Sequence, residues 1–257
     1  MEDFRLERLG GGMTAVISRE HGFGTDALLL ADFSAVRTDQ RCCDMGSGCG
    51  IIPLLWLKKN MSRPVAAIEI SSRACKQMEM AVGINSLGGR LEVYNRDLRE
   101  VRDFLPAGEF DLVSMNPPYK AQGAGIVSAT EPAARARHGL DCSLGDMCAA
   151  AAWLLRFGGR LCVCLRPERL CELMCTMSAH GIEPKRLRTV SKCDGSAPWL
   201  VLVEGKRGAK PGMTVEPQLN VYKENMEYSD YMRALYADYE LERENNTAGD
   251  CPKEREK

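Results

Sequence analysis

The chain contains 257 residues, of which 45% are hydrophobic and 27% are charged, with a formal net charge of −1. This length and composition predict one sizeable globular domain with at most a small extension. The longest stretch without a charged residue, Met45–Leu57, has 13 residues and is too short to cross a bilayer. The first residues, Met1–Arg5, are charged and carry no apolar signal core. We therefore expect a cytoplasmic protein that does not contact membranes.

The cysteine and histidine patterns do not indicate a metal site. The twelve cysteines include no Cys-x-x-Cys pair, and the three histidines form no His-Glu-x-x-His pattern. Free cysteine behaves as a small apolar residue and is often buried. We expect most of the cysteines to be reduced core residues, and we expect no bound metal.

Charge is unevenly distributed along the chain. Residues 211–257 hold 6 Lys/Arg and 11 Asp/Glu, whereas Arg156–Lys192 holds eight basic residues and three acidic ones. A basic face of this kind fits a polyanionic partner such as nucleic acid. It also fits an ordinary solvated surface, and composition alone favours that second interpretation.

The first half of the chain predicts alternating strands and helices. Residues 1–24, which include Gly10-Gly11-Gly12, predict a small hairpin or lid, and residues 25–36 predict a helix. A strand, a helix, a strand, a helix capped by Ser71 or Ser72 and two further strands then follow in this order: Arg41–Met45, Ile51–Lys59, Val65–Glu69, 71–85, Leu91–Asn95 and Phe110–Met115.

The second half continues the alternation after an irregular stretch at residues 120–142. Ser143, with Asp146 three residues later, marks the start of a helix through Leu155, which Gly158-Gly159 is expected to end. A strand, a helix and two strands follow at Leu161–Leu165, Leu170–Gly181, Leu187–Val190 and Trp199–Val203. This alternation predicts an α/β fold with a doubly wound, mostly parallel sheet and helices on both faces.

We expect this fold to form a single domain over residues 1–243. Within it, residues 1–24 form the hairpin or lid, residues 25–205 the core and residues 206–243 a C-terminal extension. Residues 244–257 are polar with few apolar anchors and are expected to be a disordered tail.

Polar side chains follow four successive strands of the predicted sheet. Asp44, Glu69, Asp97 and Asn116 each lie at or just after the carboxyl end of a strand. Ligands of open α/β sheets bind at this edge, near the point where the strand order reverses. The sequence therefore predicts a ligand site lined by these four residues.

The turn Gly46-Ser47-Gly48-Cys49-Gly50 distinguishes between two kinds of nucleotide cofactor. Its glycine spacing departs from the Gly-x-Gly-x-x-Gly of dinucleotide-binding turns, and the preceding Asp44 would repel a pyrophosphate. A carboxylate suits a cationic ligand such as S-adenosylmethionine. Glu69 can then accept the ribose hydroxyls, while Asp97 and the backbone N–H of Leu98 meet the adenine. The alternative is that these acids are helix caps or surface residues.

The segment Asn116-Pro117-Pro118-Tyr119 indicates chemistry on an amino nitrogen. The lone pair of an adenine amino group is delocalised into the ring, so the group must be held in place to act as a nucleophile. The Asn116 side-chain oxygen and the Pro117 carbonyl can accept its two N–H bonds, while Pro117 and Pro118 fix the loop backbone. Tyr119 offers a face on which an extruded base can stack. The alternative is a rigid turn after a strand.

With these motifs the sequence resembles class I S-adenosylmethionine-dependent methyltransferases that carry an Asn-Pro-Pro-Tyr loop. It is similar in particular to the bacterial tRNA1(Val) (adenine-37-N6)-methyltransferase family over residues 4–240. Six further segments carry this similarity: Phe23–Ala31, Ala136–His138, Gly158–Arg160, Arg166–Leu170, Pro184–Arg188 and Val221–Glu224. One departure is Gly139, where that family leads us to expect an acidic residue.

The resemblance implies a Rossmann-like sheet whose last strand is antiparallel, and it places Thr25 and Asp26 at the methionine end of the cofactor. The catalytic residues expected on this basis are Asn116, Pro117, Pro118 and Tyr119. The residues expected to bind S-adenosylmethionine are Thr25, Asp26, Asp44, Gly46, Ser47, Gly48, Gly50, Glu69, Ile70, Asp97, Leu98 and Asn116.

The resulting expectation is N6-methylation of an adenine in tRNA, at adenine 37 of a valine tRNA anticodon loop. The tRNA is expected to bind through the modest basic surface, and a monomer is favoured. The same loop can hold a glutamine amide, so N5-methylation of a release factor or ribosomal protein is the alternative. Enzymes resembling that class carry a helical domain before the core, and only about 40 residues precede Asp44 here. A non-catalytic cofactor-binding scaffold and a dehydrogenase are weaker alternatives.

Overall fold

The computed structural model describes residues 3–117 and 142–244, so the expectations for residues 120–141 and for the tail beyond residue 244 fall outside it. Within the described ranges the chain forms eleven strands. In chain order they are β1 Phe4–Arg8, β2 Thr14–Ser18, β3 Cys42–Met45, β4 Val65–Glu69, β5 Leu91–Asn95, β6 Phe110–Met115, β7 Leu155–Leu165, β8 Ile182–Ser191, β9 Pro198–Arg207, β10 Thr214–Val215 and β11 Leu219–Asn220.

Six α-helices and two short 3₁₀ helices connect these strands. The α-helices are α1 Thr25–Phe33, α2 Ile51–Leu57, α3 Ser72–Ile84, α4 Leu144–Leu154, α5 Leu170–Ala179 and α6 Asp230–Glu244. The 3₁₀ helices are Leu98–Asp103 and Pro167–Arg169.

Nine of the strands form one sheet in the order β10-β8-β9-β7-β6-β3-β4-β5, with β11 also paired to β8. Strand β3 lies between β4 and β6 and is parallel to both, whereas β9 runs antiparallel to β7 and β8. This arrangement confirms the doubly wound, mostly parallel sheet. The antiparallel strand closes the core as expected, but it is not the last strand of the chain, since β10 and β11 follow it and pair in parallel with β8.

The core consists of two apolar layers, one on each face of the sheet. Helices α1, α2 and α3 cover one face, where Phe33 and Trp56 are fully buried, and α4 and α5 cover the other. The central strand contributes to both layers, because Cys42 packs with the first and Cys43 with the second. A strand covered on both faces is mostly apolar, and β3 is apolar except for Asp44, which is why its position was predictable from the sequence.

The cysteines fit this packing. The eleven that the structure describes are free thiols, and seven of them are buried. This confirms the expectation that most are core residues. Among the described residues, no group of three or more His, Cys, Asp or Glu side chains is arranged to hold a metal ion.

The N-terminal segment forms the expected hairpin, in which β1 and β2 pair antiparallel. Polar side chains of α3 fix the hairpin against the core. The Asn85 Nδ2 atom donates to the Thr14 carbonyl at 2.6 Å, its Oδ1 atom accepts from the Thr14 N–H at 2.7 Å, and Gln77 donates to the Val16 carbonyl at 2.9 Å. These contacts satisfy backbone groups that would otherwise be buried without partners.

The expectation that Gly158-Gly159 ends a helix is wrong. Helix α4 ends at Leu154, and the chain enters β7 directly at Leu155, whose φ of −69° and ψ of 135° are extended. The two glycines lie inside β7, beside a register shift opposite Phe110. Gly158 has a φ of +77°, a conformation that side chains disfavour, so the pair permits an irregularity in the strand.

Several element boundaries also differ from prediction. Helix α1 ends at Phe33 rather than residue 36, and β8 and β9 are each 10 residues long, although only four and five residues were predicted for them. The added strand residues are largely polar. Their charges pair across strands: the Glu204 carboxylate lies 2.7 Å from Arg160 and 2.9 Å from Arg186. Because charged residues occupy these positions, the sequence there lacks the alternation of apolar and polar residues that predicts a strand.

The C-terminal extension is more regular than the sequence indicated, since it contains β10, β11 and α6. Glu216 between the two strands lies 3.1 Å from Arg186 and 2.6 Å from Arg188 of β8. Met232 of α6 is fully buried. These contacts attach the extension to the core. No helix among the described residues has the length and apolar character needed to span a membrane.

The position of Gly159 gives a test of this register. A Cβ atom there would lie 2.9 Å from the Arg156 carbonyl oxygen and 3.0 Å from that of Phe110, and backbone atoms cannot move away cheaply. We expect Gly159→Ala to lower the free energy of unfolding by about 1–3 kcal/mol. Gly88→Ala is the control, because no atom lies within 4 Å of its Cβ position. Equal stability of the two variants in urea titrations would contradict the bulged strand.

Candidate active site

Four neighbouring strands bring the predicted site residues to one edge of the sheet. Strands β6, β3, β4 and β5 are adjacent and parallel, so Asn116, Asp44, Glu69 and Asp97 follow or end them at the same edge. Asp44 of β3 lies opposite Ser114 of β6 in the strand register, and Ser114 is two residues before Asn116. The expected convergence at the carboxyl ends of the strands is therefore present.

The glycine turn after β3 requires glycine for conformational reasons. Gly46, Gly48 and Gly50 have φ angles of +66°, +55° and +80°, which side chains disfavour. A Cβ atom on Gly50 would also lie 2.6 Å from the Met78 side chain of α3. The turn thus brings bare backbone to the edge of the sheet and leads directly into α2.

Asp44 is the most unusual residue of the site, because it is a carboxylate only 1% exposed. The Ser114 hydroxyl donates to its Oδ1 atom at 2.5 Å, and the Ser47 hydroxyl donates to its backbone carbonyl at 2.9 Å. The Oδ2 atom has no hydrogen-bond partner among the described residues. Burial raises the pKa of Asp44 to about 7. A buried carboxylate oxygen without a partner is suited to a cationic group.

Glu69 supports the glycine turn. Its Oε2 atom accepts from the Gly48 N–H and its Oε1 atom accepts from the Ser71 N–H, both at 2.8 Å. The side chain is 8% exposed, and each carboxylate oxygen keeps a second lone pair for a hydroxyl group. Ile70, which follows it, is 45% exposed and presents an apolar surface beside the turn.

The contacts of Asp97 match those of a helix cap. Its Oδ1 atom accepts from the Arg99 N–H at 2.9 Å, and the Arg99 guanidinium lies against both carboxylate oxygens. Hydrogen bonding to Arg99 lowers the pKa of Asp97. Leu98 is buried at the start of the 3₁₀ helix. A ligand at Asp97 therefore has to share this carboxylate with Arg99.

Asn116 lies between helix α1 and strand β7. Its Nδ2 atom donates to the Asp26 carboxylate at 3.1 Å, and its Oδ1 atom accepts from the Cys164 thiol at 3.1 Å. The adjacent Thr25 hydroxyl lies 3.0 Å from the Tyr236 hydroxyl of α6. The structure thus places Thr25 and Asp26 beside Asn116. Pro117 is buried, and the remaining loop residues Pro118 and Tyr119 lie outside the described residues.

Sequence reasoning missed three residues of this site: Ser114, Cys164 and Tyr236. Ser114 had a detectable signal, since it is a hydroxyl residue within the otherwise apolar end of β6. Cys164 and Tyr236 had no such signal, because their partners in the site are distant in the sequence. Cys164 contacts Asn116, 48 residues away, and Tyr236 contacts Thr25, 211 residues away.

The basic segment Arg156–Lys192 offers fewer accessible charges than its composition indicated. Five of its eight basic residues form ion pairs with carboxylates of this chain; they are Arg156, Arg160, Arg169, Arg186 and Arg188. The guanidinium of Arg186 also lies 3.9 Å from the Phe33 ring centroid. Much of this charge is therefore paired with carboxylates of the same chain.

The sheet order, the glycine turn after the central strand and the polar strand ends define the class I methyltransferase fold. Solved structures with this architecture include a predicted O-methyltransferase from Agrobacterium tumefaciens, at a TM-score of 0.64 and 20% identity, covering 83% of this chain and 96% of that one. A geranyl diphosphate methyltransferase solved in complex with S-adenosylmethionine has a TM-score of 0.53 at 12% identity, covering 71% and 84% of the two chains.

Sequence comparison identifies the family. Residues 14–174 match the model of the methyltransferase small domain. Curated tRNA1(Val) (adenine(37)-N6)-methyltransferases from Tolumonas auensis and Parabacteroides distasonis are 31% and 28% identical to this chain; each alignment covers 85% of it, and 89% and 90% of the relatives. The chain therefore belongs to the methyltransferase small domain family, and the resemblance identified from the sequence motifs is confirmed.

The buried Asp44 carboxylate predicts a pH-dependent stability. Its pKa is about 7 in the folded protein, above the ordinary value of 3.8. The free energy of unfolding therefore falls as the pH rises from 3.8 to 7 and stays lowered above 7. We expect Asp44→Asn to raise the free energy of unfolding by about 1 kcal/mol at pH 8 in the absence of ligand. The difference from wild type should shrink as the pH falls from 7 toward 3.8, because over that range the carboxyl is neutral in the folded protein but still ionised in the unfolded chain.

Urea titrations at pH 8 and pH 5.5 measure this difference. Glu69→Gln provides a comparison, since it also removes a charge from the site but disturbs two hydrogen bonds to backbone N–H groups. A stability difference for Asp44→Asn that is the same at both pH values would show that Asp44 is ionised throughout.

Proposed function

We propose that this chain transfers a methyl group from S-adenosylmethionine to the N6 atom of an adenine in tRNA, at position 37 of the valine tRNA anticodon loop. The observation that carries the proposal is the juxtaposition of Asn116 with the buried Asp44 on adjacent strands, in a chain whose curated relatives are tRNA1(Val) (adenine(37)-N6)-methyltransferases. The first residue suits an amino group, and the second suits a cation.

The donor set of the site fits S-adenosylmethionine, which supplies an electrophilic methyl group on a positively charged sulfur. The Oδ2 atom of Asp44, which has no partner in the part of the chain that the structure describes, is the feature that a cationic cofactor would satisfy. Bare backbone at Gly46 and Gly48 permits close approach of the cofactor body. Ser47 holds this turn through its hydrogen bond to the Asp44 carbonyl.

The neighbouring strand ends would hold the nucleoside part of the cofactor. The second lone pairs of the Glu69 oxygens are available for the ribose hydroxyls, and exposed Ile70 offers a surface for the adenine ring. Asp97 and the Leu98 N–H would meet the ring edge, with Arg99 sharing the Asp97 carboxylate. Of these contacts, the one at Asp97 is the least supported by its present hydrogen bonds.

The role of Asn116 and Pro117 would be to orient the substrate amine. Accepting both N–H bonds of the amine turns its lone pair toward the methyl group and offsets the cost of removing the amine from water. The Asn116 Oδ1 atom supplies one acceptor and the Pro117 carbonyl the other, as the sequence indicated. Pro118 and Tyr119 would complete the loop and stack the base, and the anticodon loop lends itself to base extrusion because it is single-stranded.

A glutamine amide presents the same two N–H bonds, so protein methylation is the alternative to be separated by experiment. Residues 3–24, which precede the core, form a hairpin against α3 rather than a helical unit. No described feature favours an extended peptide over a nucleobase. We therefore treat the protein substrate as an outcome of the following test.

Removal of the Asn116 amide should abolish turnover. We expect Asn116→Ala to lower kcat for methylation of tRNA by at least about 100-fold, because both the acceptor and its orientation are lost. The assay uses labelled S-adenosylmethionine with unmodified tRNA, followed by nucleoside mass spectrometry. Asn60→Gly is the matched control, since it removes an exposed amide from a residue whose φ of +57° glycine adopts without strain.

Label in N6-methyladenosine with wild type and with Asn60→Gly, but not with Asn116→Ala, would support the proposal. Label in a release factor or ribosomal protein, with none in tRNA, would establish the alternative. Label in neither substrate would refute the proposed function.

Cofactor binding should also release a proton from Asp44. A cation beside the Oδ2 atom favours the carboxylate and lowers the pKa of Asp44 from its value of about 7. At pH 7 we expect release of about 0.5 proton per bound cofactor. Calorimetric titrations in phosphate and in Tris, whose ionisation enthalpies differ, measure this number.

The Asp44→Asn variant is the control for this measurement. It should bind S-adenosylmethionine more weakly and release about half a proton less than wild type. Proton release that is unchanged in Asp44→Asn would assign the titration to another group and remove Asp44 from contact with the cofactor cation.

A further inference from the structure

Three elements that are distant in the sequence meet at the side-chain amide of Asn116. Asp26 lies in the first turn of α1, 90 positions earlier, and Cys164 lies in β7, 48 positions later. The carboxylate accepts from the Nδ2 atom, and the thiol donates to the Oδ1 atom, each at 3.1 Å. The amide is therefore contacted at both ends by groups of matching polarity.

The two ends of an asparagine amide are nearly equal in shape but opposite in hydrogen bonding. Rotation by 180° about the terminal bond would place the Oδ1 atom against the Asp26 carboxylate, where two acceptors repel each other. In the observed orientation the Nδ2 atom makes a charge-assisted hydrogen bond to that carboxylate. Asp26 therefore selects the orientation that turns the Asn116 oxygen away from α1.

The position of Asp26 is itself fixed. Gly24 precedes it as the N-cap of α1, and a Cβ atom at Gly24 would lie 2.8 Å from the Asp26 Oδ1 atom. The neighbouring Thr25 hydroxyl is held 3.0 Å from the Tyr236 hydroxyl of α6. The N-terminal end of a helix also favours a negative charge. These features hold the Asp26 carboxylate beside Asn116.

Cys164 contributes differently. It is fully buried, and a thiol is a weak donor, so it fixes the Oδ1 atom without saturating it. A stronger donor at this position would compete with the substrate for the same oxygen.

We propose that Asp26 and Cys164 are positioning residues, which orient the Asn116 amide so that its oxygen faces the substrate amine. This role differs from the one implied by family resemblance, in which Asp26 lines the methionine end of the cofactor. It rests on the proposed function insofar as Asn116 accepts from the substrate. Its main consequence is that Asp26 affects turnover rather than cofactor affinity.

Asp26→Asn tests the proposal with little change in shape. An amide at position 26 pairs with Asn116 in either orientation, so the selection is lost. We expect kcat on tRNA to fall by about 10-fold to 100-fold, while the Kd of S-adenosylmethionine changes less than threefold. Asp32→Asn is the matched control, because Asp32 lies on the same helix and accepts a hydrogen bond from Tyr231 instead; its kcat should stay within twofold of wild type.

The cysteine is tested separately. Cys164→Ala removes the contact to the Oδ1 atom and should lower kcat by about threefold to tenfold. Cys164→Ser retains a hydrogen-bond donor at this position. It should bind S-adenosylmethionine with wild-type affinity. An Asp26→Asn variant whose Kd for S-adenosylmethionine rises more than tenfold would identify Asp26 as a cofactor ligand and overturn the proposal. Unchanged kcat in both Asp26→Asn and Cys164→Ala would also overturn it.

A spectroscopic measurement separates this proposal from the substrate assignment. With asparagine labelled by ¹⁵N, the side-chain amide resonances of Asn116 are assigned by their absence from the Asn116→Ala spectrum. We expect them to shift in Asp26→Asn and to stay in place in Asp32→Asn, without any substrate present. If wild type fails to methylate tRNA and the resonances still shift, the proposed function fails while the positioning contact stands. Resonances that do not shift in Asp26→Asn refute the positioning role itself.

Discussion

The site depends on one unfavourable arrangement, a carboxylate buried at the centre of the sheet with one oxygen that has no partner within residues 3–117 and 142–244. Asp44 is held in place by Ser114 from the neighbouring strand, and the turn that follows it is closed by hydrogen bonds from Ser47 and to Glu69. Burying such a group without compensation costs several kcal/mol, so the fold holds it at the expense of stability. Two of the acids at this edge thus have different tasks: each Glu69 oxygen accepts one backbone N–H and shapes the turn, whereas Asp44 is placed to meet a cation.

Much of the core was predictable because the central strands are covered on both faces. β3, β4 and β6 are largely apolar, and the capping patterns at Ser71 and Ser143 marked two helix starts that the structure contains. The glycines at 158 and 159 were misread because local sequence does not distinguish a helix stop from a bulge within a strand. The predicted lengths of β8 and β9 were too short, because residues such as Arg186 and Glu204 pair with each other across strands. The periodicity of apolar residues along the sequence does not show such a pairing.

The candidate site divides in the same way. Asp44, Glu69 and Asn116 were predictable, since each follows a recognisable strand and the edge of a parallel sheet collects such residues. Asp97 was predictable in position only, because its cap with Arg99 depends on the path of the chain after β5. The contacts of Asn116 were not predictable at all: Asp26 and Cys164 come from elements on either side of it in the sequence, and only the packing of α1 against the sheet brings them together.

This packing links the C-terminal extension to the site. Glu216 pairs with Arg186 and Arg188 of β8, and Arg186 in turn lies over the Phe33 ring at the end of α1. At the other end of the same helix, Tyr236 contacts Thr25. One end of α1 thus contacts the extension directly, and the other contacts an arginine that pairs with the extension. The same helix contains Asp26, which contacts Asn116. Arg186 and Arg188 of the basic segment are therefore paired within the protein, and Arg186 also packs against the helix that carries Asp26.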